Sequence, residues 1–187
     1  PTPIGNRLVV CPTWEEYEQK PGQVVMRLDP GAAFGSGTHD STRLCLELLQ
    51  EVLKGGEQVL DLGCGSGILA VAALLLGAKS ARGSDIDEVA VRIAGEHAAL
   101  NAVADRARFA VGDLAKGITG RYDVIFANIV ADIIVRLAPD LPGLLAPGGV
   151  VITSGIIDTR APEVEAALQN AGLRIASRRD SGGWVGL

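Results

Sequence analysis

A chain of 187 residues is long enough to bury one sizeable core, and its formal net charge of −5 leaves no overall basic field to draw in nucleic acid, so direct nucleic-acid binding is not expected. Hydrophobic residues make up 48% and aromatics 4%, with 24 glycines, which fits an aliphatic α/β domain with many tight turns. Cys11, Cys45 and Cys64 are odd in number, widely spaced and without a C-x-x-C pair, so they read as small, reduced, buried residues of a cytoplasmic protein.

Residues 1–29 contain two β-like pieces, 7–11 and 23–28, separated by Pro12, Trp14 and Pro21-Gly22, and are read as a linker or a small antiparallel addition. The first residue is Pro1 and the last, Leu187, falls inside a strand pattern, which suggests a piece of something longer. Residues 29–42 are dense in glycine and hydroxyl groups, too rich in special residues for an ordinary connection, and Phe34, flanked by glycines, is placed to fold over a ligand. Leu44, Leu48, Leu49, Val52 and Leu53 then have helical spacing; Asp40 or Ser41 caps this helix and Gly55-Gly56 ends it.

At Val59-Leu60-Asp61-Leu62 a buried strand runs into Gly63-Cys64-Gly65-Ser66-Gly67 and at once into an apolar helix beginning at Ile68. Glycines permit a tight turn and close backbone approach, and a helix start offers unpaired N–H groups, so a nucleotide-like ligand belongs here. The apolar run 68–78 is far shorter than the roughly 20 residues of a spanning helix, and no membrane segment is expected. The turn is spaced G-x-G-x-G, which fails the dinucleotide fingerprint at its third glycine. A second strand, 79–85, ends in Asp85, roughly 20 residues after the first glycine, the separation at which a carboxylate meets a ribose diol. Asp61, ahead of the glycines, would repel a diphosphate but suits a ligand carrying positive charge, such as the amino group of S-adenosylmethionine, which favours a methyl donor over NAD.

The βα alternation continues with a helix over 87–101 and strands at 107–111, ending at Gly112-Asp113, and at 122–127, ending at Asn128. A helix over 131–145 takes an irregular course at Pro139 and Pro142, a strand covers 150–154, and a last helix covers 161–171. Residues 173–179 and 183–187 read as strands joined by a hairpin-like turn with no helix between them. This pattern predicts a Rossmann-like seven-stranded, mostly parallel sheet with one antiparallel strand near its edge and helices on both faces. In such sheets ligands lie beyond the carboxyl ends of the strands, where Gly63, Asp85, Asp113 and Asn128 all fall.

The turn at 61–67, the strand-end Asp85 and the terminal hairpin resemble a class I S-adenosylmethionine-dependent methyltransferase. Leu28-Asp29-Pro30-Gly31-Ala32-Ala33-Phe34-Gly35-Ser36-Gly37-Thr38-His39, Ala127-Asn128-Ile129-Val130 and Ser154-Gly155-Ile156 are similar to the PrmA type, which methylates amino groups of large-subunit ribosomal protein eleven. The resemblance implies S-adenosylmethionine as cofactor, S-adenosylhomocysteine as product, a ribosomal protein as partner, and a methyltransferase domain over residues 30–187. It further implies that the family's N-terminal substrate-recognition domain is missing ahead of Pro1, so that this piece binds donor but captures the ribosomal protein poorly. By the same resemblance Asp61, Gly63 and Gly65 serve the methionine portion and ribose region, Asp85 the ribose hydroxyls, Asp113 the adenine amine and Ile86 the adenine face. Phe34, Gly35 and Thr38 form a lid, and Asn128 borders the donor and acts on the acceptor.

Transfer from a sulfonium needs a neutral amine held in line, roughly 3–3.5 Å from the methyl carbon. A lysine amine with a free pKa near 10.4 must therefore be helped to lose its proton. The Asn128 carbonyl can accept a hydrogen bond from that amine and orient its lone pair without the full charge that would hold the ammonium form. Related N-methyltransferases carry an Asn/Asp-Pro-Pro-aromatic motif at this strand end; Ile129-Val130 replaces the prolines here and no aromatic follows, which weakens a nucleobase acceptor. His39, at a helix start, reads as structural rather than as a general base, His97 as a surface or core residue, Asp87 as a helix cap, and Arg174, Arg178 and Arg179 as a solvated strand edge. A different protein or small-amine acceptor, and a donor-binding domain without catalysis, stay open beside the ribosomal-protein reading.

Overall fold

The computed structural model describes residues 1–29 and 39–187. Strands β1 (Thr2–Ile4), β2 (Leu8–Pro12) and β3 (Val24–Leu28) open the chain as a small sheet. β1 runs antiparallel to β2, whereas β2 and β3 are parallel, with Leu8 opposite Val24 and Pro12 opposite Leu28. The two pieces read as an antiparallel addition, 7–11 and 23–28, are β2 and β3 and run parallel instead; the antiparallel partner of β2 is β1, which neither piece contains. The connection after Pro12 returns the chain to the start of β2, where Val24 N–H donates to the Arg7 carbonyl, and strands joined by such a return run the same way. Ile4, Leu8, Val10, Met26 and Leu28 are buried in the same core as the helices that follow.

Helix α1 (Asp40–Val52) buries Leu44, Leu48 and Leu49 of the expected stripe, with Cys45 and Leu46 beside them, while Val52 and Leu53 are half-buried at its end. Its cap is His39, not Asp40 or Ser41: the imidazole Nδ1 accepts from Ser41 N–H at 3.2 Å. Then β4 (Gln58–Leu62) leads through the glycine turn into α2 (Ile68–Leu75), which is buried over its whole circumference and accordingly apolar throughout. β5 (Ser80–Asp85), α3 (Glu88–Leu100), β6 (Ala107–Val111) and β7 (Tyr122–Asn128) follow, with Asp87 capping α3 as expected through a 2.9 Å bond from Val89 N–H. Pro139 and Pro142 divide the expected long helix into α4 (Ala131–Leu137), a 3-10 turn (Ala138–Asp140) and the short α5 (Leu141–Leu144). β8 (Leu145–Ser154), β9 (Ile156–Ile157), α6 (Ala161–Asn170), β10 (Arg179–Ser181) and β11 (Trp184–Gly186) complete the order.

The main sheet is parallel and five-stranded, ordered β6-β5-β4-β7-β8. Alternation along its central strands feeds two cores. Val59, Val124 and Phe126 face the layer of α1, α2 and the opening sheet, and Leu60, Leu62, Ile125 and Ala127 face that of α4, α5 and α6. The seven-stranded expectation is corrected here. β11 does run antiparallel beside the edge, but it pairs with β9 and β10 in a separate three-stranded sheet, and among the described residues Leu187 alone joins this segment to β8 by backbone hydrogen bonds, exchanged with Thr153. Gly155, at φ +78°, kinks the chain between β8 and β9 and ends the continuous ladder, while residues 173–178 join no ladder. The late arginines form ion pairs: Arg178 with Glu165 and Asp180, Arg179 with Glu47 and Glu51. Among the described residues no helix is long and apolar enough to cross a membrane.

Phe126, fully buried on β7, is expected to be a main determinant of stability. Phe126→Ala should lower the unfolding free energy by about 3–5 kcal/mol in urea titration, against less than about 0.5 kcal/mol for Ile157→Ala at an exposed position. A comparable loss for both would show that the two-layer core is wrongly described.

Candidate functional site

The site grows from the turn after β4. Gly63, Gly65 and Gly67 have φ of +69°, +52° and +79°, so every second residue is in the left-handed region that only glycine enters without strain. The turn is stitched to its neighbours on each side. Cys64 N–H donates to the Ser84 carbonyl at 2.9 Å, Gly67 N–H to the Cys64 carbonyl at 2.9 Å, and Gly65 N–H to Asp85 Oδ2 at 2.9 Å. Asp85 Oδ1 takes a second backbone donor, Asp87 N–H, at 2.9 Å. Each oxygen of this carboxylate keeps acceptor capacity for a ligand hydroxyl.

Asp61 stands one strand inward and is buried, 1% exposed, with Oδ2 lacking any hydrogen-bond partner among the described residues. Burial pushes its pKa up to about 7, nearby Asp85 adds to the rise, and the Ala70 amide at the start of α2 opposes it. An uncompensated carboxyl in this position is costly unless something cationic meets it. Burial, with Asp61 close by, also raises the Cys45 and Cys64 thiols, which stay neutral.

At the other end of the same cleft, β7 presents Asn128. Its Nδ2 donates to Thr42 Oγ1 of α1 at 3.4 Å, which leaves Oδ1 as the atom available to accept. Gly155 makes room for it: a Cβ built there would lie 3.1 Å from Asn128 Oδ1 and 2.8 Å from the Ile129 carbonyl oxygen. Trp184 of β11 closes this end, its ring set edge-on to His39 at 5.2 Å and 66°. His39 Nδ1 is occupied with Ser41, at 2.8 Å from the hydroxyl as well as bonded to the amide, so it caps a helix and is not poised there as a base.

Asp61, Gly63, Gly65, Asp85 and Asn128 thus line one cleft of about 440 Å³, a size that suits a nucleoside-bearing ligand. Two expected members do not join it. Ile86 is 74% exposed and Asp113 is turned to Lys116, 3.0 Å away, and neither contributes to the lining. Phe34, Gly35 and Thr38 lie outside the described residues. Thr42 closes the hydroxyl-rich stretch 29–42 singled out above, whereas Trp184, in the terminal hairpin, carries no local signal that places it here. Gly155 carried a signal, as a lone glycine between two apolar strand patterns.

Raised from 3.8 to about 7, the Asp61 pKa is higher in the folded chain than in the unfolded one. Its protonated form therefore supports the ligand-free fold fully below about pH 3.8, and that support is lost as pH rises through about 7. The stability difference between the wild type and Asp61→Asn should move against the wild type by roughly 2–3 kcal/mol from pH 5 to pH 8 in urea titrations. A difference that does not change with pH would show that Asp61 ionises normally.

The family model described as ribosomal protein L11 methyltransferase (PrmA) matches residues 1–187. The ribosomal protein L11 methyltransferase of Pelotomaculum thermopropionicum is 48% identical over 187 residues, covering 100% of this chain and 61% of that protein. That of Desulforamulus reducens is 44% identical over 185 residues, 99% and 60% of the two chains. The solved structure of a ribosomal protein L11 methylase from Lactobacillus delbrueckii subsp. bulgaricus superposes with a TM-score of 0.91 at 36% identity, covering 98% of this chain and 93% of that one. A T. thermophilus 16S rRNA methyltransferase solved with AdoMet and guanosine has a TM-score of 0.68 at 25% identity, covering 82% and 44%. The chain spans about 60% of the length of the curated relatives it matches. With a strand-end cleft of this build and a match along its whole length, the chain belongs to the ribosomal protein L11 methyltransferase (PrmA) family.

Proposed function

We propose that this chain transfers methyl groups from S-adenosylmethionine to amino groups of ribosomal protein L11, with residues 30–187 as the transfer unit and 1–29 as added strands. One observation carries the reading: among the described residues, a single cleft has a buried carboxyl with one oxygen unpartnered at one end and an amide oxygen left to accept at the other. The residues fit the donor. Asp61 Oδ2 suits its ammonium group, Asp85 a ribose diol, and the left-handed glycines allow the backbone to come close. Ile86, exposed beside Asp85, and Asp113 would serve the adenine at the open side. When bound, S-adenosylmethionine supplies a methyl group carried on a positively charged sulfur.

The chain's own work is to position the amine and to favour its uncharged form, the proton having left to water before the amine is enclosed. Thr42 fixes the Asn128 amide so that Oδ1 accepts from the incoming amine and directs its lone pair along the cleft. A neutral acceptor does this while stabilising the ammonium form less than a carboxylate would, and Trp184 and Ile129 border the same end, where partial loss of water favours the uncharged amine. The acceptor protein is read from the relatives' names, which give ribosomal protein L11 as their substrate.

Calorimetric titration separates the two ends. Asp85→Ala should weaken S-adenosylmethionine binding at least tenfold, because a charged acceptor with two hydroxyl partners is lost. Asn128→Ala should keep donor affinity within about threefold while methylation of ribosomal protein L11, followed by mass spectrometry, falls about a hundredfold. Gly155→Ala should behave like Asn128→Ala, since its Cβ would displace the same amide. Donor binding indifferent to Asp85, or methylation indifferent to Asn128, would sink the assignment of the corresponding end.

A further inference from the structure

His97 lies on the inner side of α3, 4% exposed, in a helix where nothing in the local sequence marks it for function. Both ring nitrogens are engaged: Nδ1 is 2.8 Å from the Ser66 carbonyl oxygen, and Asp29 N–H donates to Nε2 at 3.3 Å. A carbonyl can only accept and an amide N–H can only donate, so these partners require the neutral ring with its proton on Nδ1. One turn later, Asn101 accepts from Arg27 N–H at 2.7 Å and donates to the Arg27 carbonyl at 2.9 Å. Both residues fasten α3 to the end of β3, but His97 also reaches the glycine turn.

What it grips there is the Ser66–Gly67 peptide. A peptide flanked by glycine can rotate as a unit, because glycine accepts either sign of φ, and Gly67 sits at +79°. This one is held at both ends, by Gly67 N–H on the Cys64 carbonyl at 2.9 Å and by the Ser66 carbonyl on His97. Gly63, Gly65 and Ser66 line the cleft, so the direction of that peptide shapes the wall a ligand meets. Ser66 is 4% exposed, and water cannot readily replace His97 as the donor.

We propose that His97 is a positioning residue for the donor end of the cleft: its Nδ1–H holds the Ser66 carbonyl, and with it the glycine turn, in the orientation that binds S-adenosylmethionine. The inference rests on the reading of this cleft as a methyl-donor site. The bond to Ser66 sets the turn, whereas the bond to Asp29 contributes stability only, and the two can be separated. An asparagine at 97 would place an amide N–H near the position of Nδ1 but would not reach Asp29.

The test uses the full chain and three variants, His97→Leu, His97→Asn and Asn101→Leu. Each is measured for S-adenosylhomocysteine affinity by calorimetry, for Tm, and for exchange of the Gly67 amide without ligand. His97→Leu should bind about tenfold or more weakly, with Gly67 exchange faster by a similar factor. His97→Asn should recover affinity to within about threefold while melting as low as the leucine variant, and Asn101→Leu should melt lower yet bind as the wild type does. Wild-type affinity in His97→Leu, or affinity losses that follow Tm across all three variants, would overturn the proposal. Should His97→Leu not fold, a tenfold loss in His97→Asn overturns it equally. Absence of binding by the unaltered chain overturns the donor reading itself, and Gly67 exchange still decides whether His97 holds the turn.

Discussion

The carboxylate of Asp85 is the clasp on which the site depends. By accepting Gly65 N–H with one oxygen and Asp87 N–H with the other, it joins the end of β4 to the end of β5 and sets the entry to α3. Those three points must be held in common for a glycine turn to be rigid, since left-handed glycines carry little conformational preference of their own. Charge-assisted bonds are the strong kind, and this pair is made to backbone donors that have no other acceptor in the turn. The end of the cleft proposed to hold the donor is therefore assembled by the same group that would meet a ribose.

Topology explains why the remaining groups arrive at one place. In the order β6-β5-β4-β7-β8 the chain leaves β4 on one side for β5 and later returns to its other side as β7, so a crevice opens at the carboxyl end where the connections part. Asp61 and Asp85 lie on one flank of that crevice and Asn128 on the other. The separate sheet of β9, β10 and β11 then brings Trp184 over the Asn128 end, and the kink at Gly155 that breaks the edge ladder is also what clears space for the Asn128 amide. A departure from the regular sheet thus has a use at the site.

Much of this was legible in the residues. The strand, glycine turn and apolar helix at 59–75, the acid at 85 and the strand-end Asn128 each carry a local pattern with a physical reason, and all of them converge on the cleft. Local patterning also placed Asp87 as a cap, whereas of the three arginines read as a solvated strand edge only Arg179 lies in a strand. What it lacked was pairing. Whether β2 and β3 are parallel, and whether residues 173–178 reach the sheet, depends on long-range hydrogen bonds that no window of sequence contains. His97 is the sharpest case. In an alanine-rich helix it reads as filler, because its partners, Ser66 and Asp29, are 31 and 68 residues away.

The most direct test of a donor site at one end of this cleft and an acceptor site at the other is a crystal structure of the chain with S-adenosylhomocysteine. The ligand is expected along the glycine turn, with its ribose hydroxyls on Asp85, its ammonium group against Asp61, and the Asn128 end left open for an amine. Density for the ligand elsewhere, for instance in the groove between β8 and residues 173–177, or in this cleft but turned so that its adenine meets Asn128, would contradict the assignment of both ends.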